Sequence, residues 1–508
     1  MGKSITACLS GVLLFCLSAF TIEAVEIGGM EVDRSRVGSP EIRQTADALA
    51  HYISGMIFDN YGMAERAAGE YRKALRHRPD SAEIYLKLGA ALLFQGRTDE
   101  ACEVLEKATS LDPDNIKPYL MKALVLTSRG DFTQAEAQYK EALEREPENL
   151  KVLTFLSDLY VIQKKLDKAA DIYERILLIK QNDPFLYYNL GVIYSKLDEL
   201  ERAQENLEKA VEKDRGYIEA QLVLGYVYEI DGKIKQALEQ YSKITEIAPL
   251  NREAHVRLGQ LYYRTGDIKS ALEQNRLLMR IDPRSSEPYL RNFTIYIAEE
   301  EYDEADRVLR EALRKGISDS VIYASMGYLA SQKGDHLKAV QHYITALRED
   351  PGNMIYRFYL AAAYDRAGNR RKAIEMLEKI VQSGARIPEA YNYLGYIYVE
   401  EDRDLDRAIR LIGKALKFDP DNGAYVDSLG WAYYKKGMMD KAVVLLRKAA
   451  ELLPADPSVR EHLGDVYFRT GRIKKAVEQW EKALEAVDDG RALEKKINRA
   501  RQKLKGRR

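Results

Sequence analysis

Apolar residues recur along most of this chain at spacings of three and four, which is the pattern of a helix with one buried face. Two such stripes lie between residues 82 and 113: Tyr85, Leu88, Gly89 and Leu92, and then Ala101, Leu105 and Ala108. The polar run 96–99 separates the stripes, and Pro113 ends the second because proline cannot continue a helix. One pair of helices buries too little surface to be stable alone, so we expect stability to come from stacking of successive pairs.

This pair of stripes repeats every 34 residues. Alanine holds one repeat position in thirteen units out of thirteen: residues 67, 101, 135, 169, 203, 237, 271, 305, 339, 373, 408, 442 and 476. Tyrosine recurs in the same way at residues 160, 194, 228, 262, 296, 364, 398, 433 and 467, with a one-residue insertion near 402–405. The units begin at residues 48, 82, 116, 150, 184, 218, 252, 286, 320, 354, 388, 423 and 457 and run to about 490.

The repeat resembles the tetratricopeptide repeat family. Its pattern is carried most completely by one unit: Tyr187, Leu190, Gly191, Tyr194, Ala203, Leu207 and Ala210. The resemblance implies an all-α fold, a right-handed α-solenoid of about 13 helix-turn-helix units, whose concave groove is lined by the first helix of each pair. Residues 491–508 are predicted to form a basic C-terminal capping helix, in which Leu493, Ile497 and Leu504 cover the last unit.

The unit from residue 286 departs most from the pattern. Asn292 and Phe293 replace the usual Leu-Gly, residues 299–301 are three glutamates at the turn, and Gly316 stands near the expected proline. We interpret 286–319 as a seam between two superhelical blocks. The alternative is an ordinary packed unit that tolerates these substitutions.

The N-terminus has the pattern of an export signal. Residues 1–3 carry one positive charge, residues 5–20 carry none, and Ala24 offers a small residue for cleavage. We therefore expect residues 1–24 to be a cleaved signal peptide, residues 25–47 to be a linker or short N-terminal helix, and the chain to be exported, most simply to a bacterial periplasm. An uncleaved membrane anchor at residues 5–22 and a lipoprotein are the alternatives.

Composition adds a near-neutral net charge of -1, which argues against a protein that relies on overall charge to hold nucleic acid. There are 34 tyrosines but only 11 phenylalanines and 2 tryptophans. No phosphate loop, paired Cys-x-x-Cys or other catalytic motif appears, and the six histidines lack metal-ligand spacing. We therefore predict no enzymatic activity, no cofactor and no metal site.

Binding is the remaining role, and the family places it in the groove. Groove-facing positions are the second, fifth, ninth, twelfth and thirteenth of each unit. Their aromatic and basic residues form the predicted partner site: Tyr226, Tyr263, Arg264, Tyr328, Phe358, Arg366, Tyr396, Trp431, Tyr434, Lys435, Phe468 and Arg469, with Tyr188 and Lys196 at matching positions.

An aromatic stripe flanked by cations suits an extended peptide with apolar anchors and an acidic group or a C-terminal carboxylate. The same rings could instead stack on a polysaccharide, or pack against one another across a tight superhelix. The family's chaperone-binding clamp needs lysine at the fifth and asparagine at the ninth position of one unit, and no unit has both.

Three functions remain open on these grounds. The first is an exported scaffold that binds other proteins of the cell envelope, for example in pilus, outer-membrane or secretion assembly. The second is a component of exopolysaccharide synthesis or export that contacts glycan or the export machinery. The third is a membrane-anchored adaptor of a glycan-synthesis enzyme.

Overall fold

The computed structural model describes residues 40–487 and 489–505. These residues form twenty-seven helices and no strand, so the predicted all-α class is confirmed. The expected signal peptide, its alternatives at residues 5–22 and the linker up to residue 39 lie outside the described residues. Residues 40–47, which the sequence assigned to a linker or short N-terminal helix, are the first turns of a longer helix, since Pro40 suits the start of a helix.

The chain divides into two compact units between Ala254 and His255. The first unit contains α1 Pro40–Asn60, α2 Ala64–His77, α3 Ala82–Phe94, α4 Thr98–Leu111, α5 Ile116–Arg129, α6 Phe132–Arg145, α7 Leu150–Ile162, α8 Leu166–Ile179, α9 Pro184–Lys196, α10 Leu200–Lys213, α11 Ile218–Ile230 and α12 Ile234–Ile247. The division itself falls inside α13 Arg252–Arg264.

The second unit continues from α13 as a further series of helix pairs. It contains α14 Ile268–Ile281, α15 Glu287–Ala298, α16 Tyr302–Arg314, α17 Ser320–Gln332, α18 His336–Glu349, α19 Met354–Arg366, α20 Arg370–Ser383, α21 Pro388–Glu400, α22 Leu405–Phe418, α23 Gly423–Lys435, α24 Met439–Leu452, α25 Pro457–Arg469, α26 Ile473–Leu484 and α27 Arg491–Lys505. Residues 286–319 lie within this unit, where they form the pair α15 and α16.

A left-handed residue separates the two helices of each pair. Glycine holds this position in most units, as at Gly96, where φ is +74°. Lys164 and Glu300 hold it with φ values of 58° and 57°, a conformation that costs an L residue free energy which glycine avoids. The turn therefore imposes its backbone shape even where the sequence lacks glycine.

Small residues at fixed positions let the paired helices approach closely. Ala101, Ala237 and Ala442 of the alanine repeat position are completely buried. A Cβ added to Gly191 would lie 2.4 Å from Cγ of Leu207, so only glycine fits there. Tyrosines of the second helices fill the remaining space, and Tyr71, Tyr139, Tyr241 and Tyr343 are at most 2% exposed.

The unit from residue 286 replaces an apolar contact by a polar one. Asn275 Nδ2 on α14 donates a hydrogen bond of 2.8 Å to Asn292 Oδ1 on α15, and both side chains are at most 3% exposed. Asn292 therefore occupies a leucine position because Asn275 provides its hydrogen-bond partner.

The last helix, α27, packs on α26 with Leu493 and Ile497 buried and Leu504 half-buried beside them. Lys496 Nζ lies 2.6 Å from Glu461 Oε1 and 2.7 Å from Asp465 Oδ1 on α25. Within the described residues, no helix has the length and apolar character needed to cross a membrane.

Candidate functional site

The first helices of neighbouring pairs contact each other directly. In the second unit α21 contacts α23 and α23 contacts α25, and in the first unit α9 contacts α11. Neighbouring first helices within each unit are therefore close enough for side chains at their groove positions to meet. Each unit presents its own part of the predicted aromatic stripe.

The predicted residues differ widely in exposure. Tyr226, Tyr263 and Tyr328 are 46%, 39% and 38% exposed. Arg264, Arg366 and Arg469 are also exposed, whereas Phe358, Tyr396, Tyr434, Lys435 and Phe468 are half-buried. Trp431 is only 9% exposed and belongs to the hydrophobic core.

Trp431 lies in a stack of parallel rings. Its ring centroid lies 4.6 Å from that of Tyr434 and 4.0 Å from that of His462, with interplanar angles of 9° and 13°. Its Nε1 donates a hydrogen bond of 3.0 Å to Glu400 Oε1. For Trp431 these contacts favour the alternative in which groove rings pack against one another, because neighbouring first helices are close enough to cover it.

A contact of hydrogen-bond length between His462 and Asp427 supports this stack. Nδ1 of His462 lies 2.9 Å from Oδ2 of Asp427, and the Asp427 side chain is 7% exposed. Sequence reasoning assigned neither residue a role beyond packing, since the two stand 35 positions apart on different units. Their positions in the repeat could have indicated the contact. Asp427 holds the fifth, groove-facing position of one unit, and His462 holds the sixth position of the next unit.

Two of the predicted cations are engaged by the chain itself. Lys435 Nζ lies 3.2 Å from Asp402 Oδ2, and the Arg469 guanidinium carbon lies 5.1 Å from the ring centroid of Tyr434. The ring centroids of Phe468 and Trp480 lie 5.5 Å apart. Lys503 Nζ lies 5.0 Å from the ring centroid of Phe468. At this end of the unit, most predicted binding residues stabilise the fold.

Tyr396 lies near the acidic side chains of Glu400 and Asp427. Burial, together with the carboxylates of Glu400 and Asp427, raises the pKa of Tyr396 to about 12. This phenol therefore stays protonated at neutral pH beside these two carboxylates.

A second group of residues remains open to solvent on α17 and α19. Tyr359 is 42% exposed and stacks on buried Tyr343 at 5.8 Å, while its neighbour Phe358 contacts Tyr393 at 6.4 Å. Burial raises the pKa of Tyr343, and the nearby phenols of Tyr359 and Tyr328 raise it further. The guanidinium of Arg366, also near Tyr343, lowers this pKa and is exposed.

We call Tyr328, Phe358, Tyr359 and Arg366 the aromatic-arginine surface. Tyr393 packs against Phe358 of this surface, and the Tyr393 hydroxyl donates a hydrogen bond of 2.7 Å to Asp365 Oδ2. Arg370 Nε donates a hydrogen bond of 2.9 Å to Asp365 Oδ1. The Asp365 carboxylate is therefore bound by Tyr393 and Arg370, and Arg366 is the exposed cation of this surface. Tyr359 was missed by the sequence analysis because its position normally packs on the preceding pair.

The first unit carries a smaller aromatic group. Tyr188 is half-buried and its ring lies 5.1 Å from that of Tyr217, while Lys196 is exposed. Burial and the carboxylate of Glu219 raise the pKa of Tyr188. In this unit acidic neighbours accompany the rings, so its surface differs in charge from the aromatic-arginine surface.

Across the described part of the chain, no group of three or more His, Cys, Asp or Glu side chains is arranged to hold a metal ion. The free thiol of Cys102 is half-buried, and this burial raises its pKa.

Models of the tetratricopeptide repeat match most of the chain. Those described as "Tetratricopeptide repeat" match residues 61–124, 126–197, 186–216, 231–286, 324–369, 361–424 and 458–486. One described as "TPR repeat" matches residues 430–471. Together these matches extend over well more than half of the 508 residues.

Curated relatives match only part of the chain. Photosystem I assembly protein Ycf3 of Cyanophora paradoxa is 27% identical over 144 residues, which are 25% of this chain and 82% of the relative. The Ycf3 protein of Rippkaea orientalis is 26% identical over 129 residues, which are 22% of this chain and 73% of the relative.

Solved structures of similar architecture include Naa15/Naa10 bound to HypK-THB and the APC/C hetero-tetramer Cut9-Hcn1. The first is 18% identical with a TM-score of 0.46, and covers 87% of this chain and 68% of that chain. The second is 17% identical with a TM-score of 0.42, and covers 91% of this chain and 96% of that chain.

Proposed function

The chain belongs to the tetratricopeptide repeat family, and from that premise we propose that it is a non-catalytic scaffold that binds partner proteins through its first helices. Repeats of this family are protein-interaction modules. Helices that stack in one dimension offer an extended surface without a closed cavity, which suits a partner chain better than a small substrate.

The observation that carries the proposal is the aromatic-arginine surface. Tyr328 and Tyr359 keep 38% and 42% of their surface exposed, whereas Trp431, at the repeat position of Tyr328, is only 9% exposed. Aromatic and arginine side chains contribute most of the binding energy at protein interfaces. Exposed rings beside an exposed guanidinium therefore mark the position where a partner gains most from binding.

The chemistry of this surface favours an extended peptide with an apolar or aromatic anchor and a carboxylate. Arg366 is a bidentate donor for a carboxylate, and the rings of Tyr328 and Phe358 offer faces to an apolar side chain. A sugar ring would also stack on these faces, but it would leave the guanidinium without an anionic partner.

We also propose that the protein works in the cell envelope after export. The support is the pattern of residues 1–24, in which an uncharged apolar stretch precedes the small residue Ala24. Fractionation of cells that express the full chain, followed by mass measurement, tests this. A periplasmic product that begins at Val25 is expected, and a cytoplasmic full-length product would contradict export.

Site-specific photocrosslinking in intact cells tests the binding surface. A photoreactive phenylalanine replaces Tyr328 or Phe358, and a control variant carries it at Val444, an exposed apolar position at 66% exposure on α24. We expect protein adducts at Tyr328 and Phe358, lost with Arg366→Glu and absent at Val444. Adducts that resist protease but yield to glycan-degrading enzymes would favour the polysaccharide alternative, and equal adducts at all sites would refute a specific surface.

A further inference from the structure

The outer face of α1 is apolar and exposed over several turns. Leu49, Ile53 and Ile57 follow one another at a spacing of four and are 43%, 46% and 48% exposed. Ala46 and Ala50 lie on the same face and are exposed as well. No charged residue interrupts the row between Ala46 and Ile57 on this face, so water contacts an uncharged helical surface.

In the later units the part of this face that carries Ile57 is covered, whereas the position of Leu49 stays exposed, as at Phe185 and Ile355. The residues at the repeat position of Ile57 are buried to 4% exposure or less: Ala91, Val125, Leu159, Ile193, Val227, Leu261, Ile295, Leu329, Ala363, Ile397, Ala432 and Val466. Two residues at the position of Ile53 contact the second helix of the preceding pair: Phe155 lies 6.4 Å from Tyr139 and Tyr359 lies 5.8 Å from Tyr343, measured between ring centroids. The face of α1 is therefore built to receive another helix.

The sequence upstream does not repeat the residues that cover this face elsewhere. Ala67, Tyr71 and Ala74 of α2 cover α3, and 34 positions earlier the chain has Asp33, Val37 and Pro40. An aspartate and a proline replace the small residues that close helix contacts require.

The other terminal helix offers a contrast. The exposed residues of α27 include Lys495 and Arg499, which are spaced by four. Repeat arrays stay soluble when their terminal faces are polar, and α27 meets this requirement. The face of α1 does not, which points to a macromolecular partner at α1.

We propose that the face of α1 binds the same face of a second copy of this chain, with the two helices antiparallel. Large and small residues on the face are placed so that a twofold axis sets Ile53 against Ala50 and Ile57 against Ala46 of the second copy. A self-complementary patch of this kind forms a closed dimer, and the uncharged face brings no like charges together.

The size of the face sets the strength of this dimer. A few side chains on one helix bury less than the roughly 1,200–2,000 Å² of a standard stable interface. We therefore expect association that depends on concentration, with a dissociation constant on the order of micromolar. This inference stands apart from the aromatic-arginine surface, so either can fail alone.

Sedimentation of the purified chain over a wide concentration range tests the proposal. Wild type is expected to shift from monomer to dimer, and Ile53→Glu is expected to remain monomeric at least tenfold beyond the wild-type midpoint. Val444→Glu makes the same change at an exposed position of α24 and is expected to leave the midpoint unchanged. Circular dichroism checks that each variant is folded.

Ala50→Leu separates specific docking from general stickiness. It keeps the face apolar but fills the space for Ile53 of the second copy, so it should weaken the dimer. A stronger dimer in Ala50→Leu, or equal loss in Val444→Glu, would mean non-specific association. A wild-type chain that stays monomeric at all concentrations, with Ile53→Glu lowering its melting temperature, would show that the chain covers this face itself and would overturn the proposal.

Discussion

The hydroxyl of Tyr398 donates a hydrogen bond of 2.6 Å to Glu378 Oε1 on the second helix of the preceding pair. The same relationship joins Tyr194 to Glu174 at 2.6 Å and Tyr228 to Glu208 at 2.7 Å. In each case the ring fills the gap between pairs while the hydroxyl reaches a carboxylate at its edge. This bond needs a phenol, which explains in part why the chain has 34 tyrosines and 11 phenylalanines.

Replacement of Tyr398 by phenylalanine should therefore weaken the contact between α20 and α21. Loss of a hydrogen bond to a charged group costs roughly 1–2 kcal/mol, with Arg407 still paired to Glu378. Hydrogen exchange measured by mass spectrometry should show faster exchange in these two helices. Tyr364→Phe is the matched control, since its hydroxyl bonds none of the described side chains, and an equal effect there would argue against the hydrogen bond.

Alkaline pH should lower the stability of the fold. Burial and carboxylate neighbours raise the pKa of Tyr396, Tyr398 and Tyr425 to about 12, above the value of about 10 in an unfolded chain. Below pH ~10 the folded and the unfolded chain both keep these phenolic protons, so the contribution of these tyrosines to stability is fully present. Between pH ~10 and ~12 the unfolded chain loses its protons first, so the free energy of unfolding falls. Denaturation at fixed pH, with phenolate absorbance, checks this, and Tyr398→Phe should flatten the slope.

Glu300→Gly should stabilise the pair α15 and α16. Glu300 holds a left-handed conformation that glycine adopts without strain, and such a replacement typically gains about 0.5–1 kcal/mol. Chemical denaturation measures the change. The reverse replacement, Gly334→Ala at the same turn position, should destabilise the chain, since φ is 76° there. No difference between the two variants would contradict the strain argument.

Trp431→Ala should mainly lower the stability of the fold rather than remove a binding contact. The indole is 9% exposed and stacked between Tyr434 and His462, and truncation of a core aromatic typically costs about 3–5 kcal/mol. Tyr328→Ala, at an exposed ring, should cost less than about 1 kcal/mol while removing crosslinked partners. Stability and crosslinking measured on both variants separate the roles, and a stable Trp431→Ala protein that loses its partners would refute this assignment.

Asn292→Leu should destabilise the chain although it restores the residue typical of the repeat. The change leaves the buried amide of Asn275 without its partner, at a cost of about 1–3 kcal/mol. The double variant Asn275→Leu, Asn292→Leu should recover most of the loss, because two apolar residues then meet. A double-mutant cycle in denaturant measures the coupling, and additive effects would contradict it.

Much of the site depended on contacts that a single unit of sequence does not contain. The repeat register places the groove positions on each first helix, but it does not determine how exposed their side chains are. Trp431 and Tyr328 hold the same repeat position, yet one is core and the other is open. The difference comes from the next unit, where His462 covers Trp431 and no described ring stacks on Tyr328.

The sequence by itself determined the helical class, the 34-residue period and the residues that close each pair. These follow from local physics, since apolar spacing, small residues and turn glycines act within one unit. The tertiary structure decided which groove side chains remain free, how Asn292 is satisfied and where the chain divides into compact units. Those properties depend on the distance between helices of successive units, which brings together residues such as Asp427 and His462 that lie 35 positions apart.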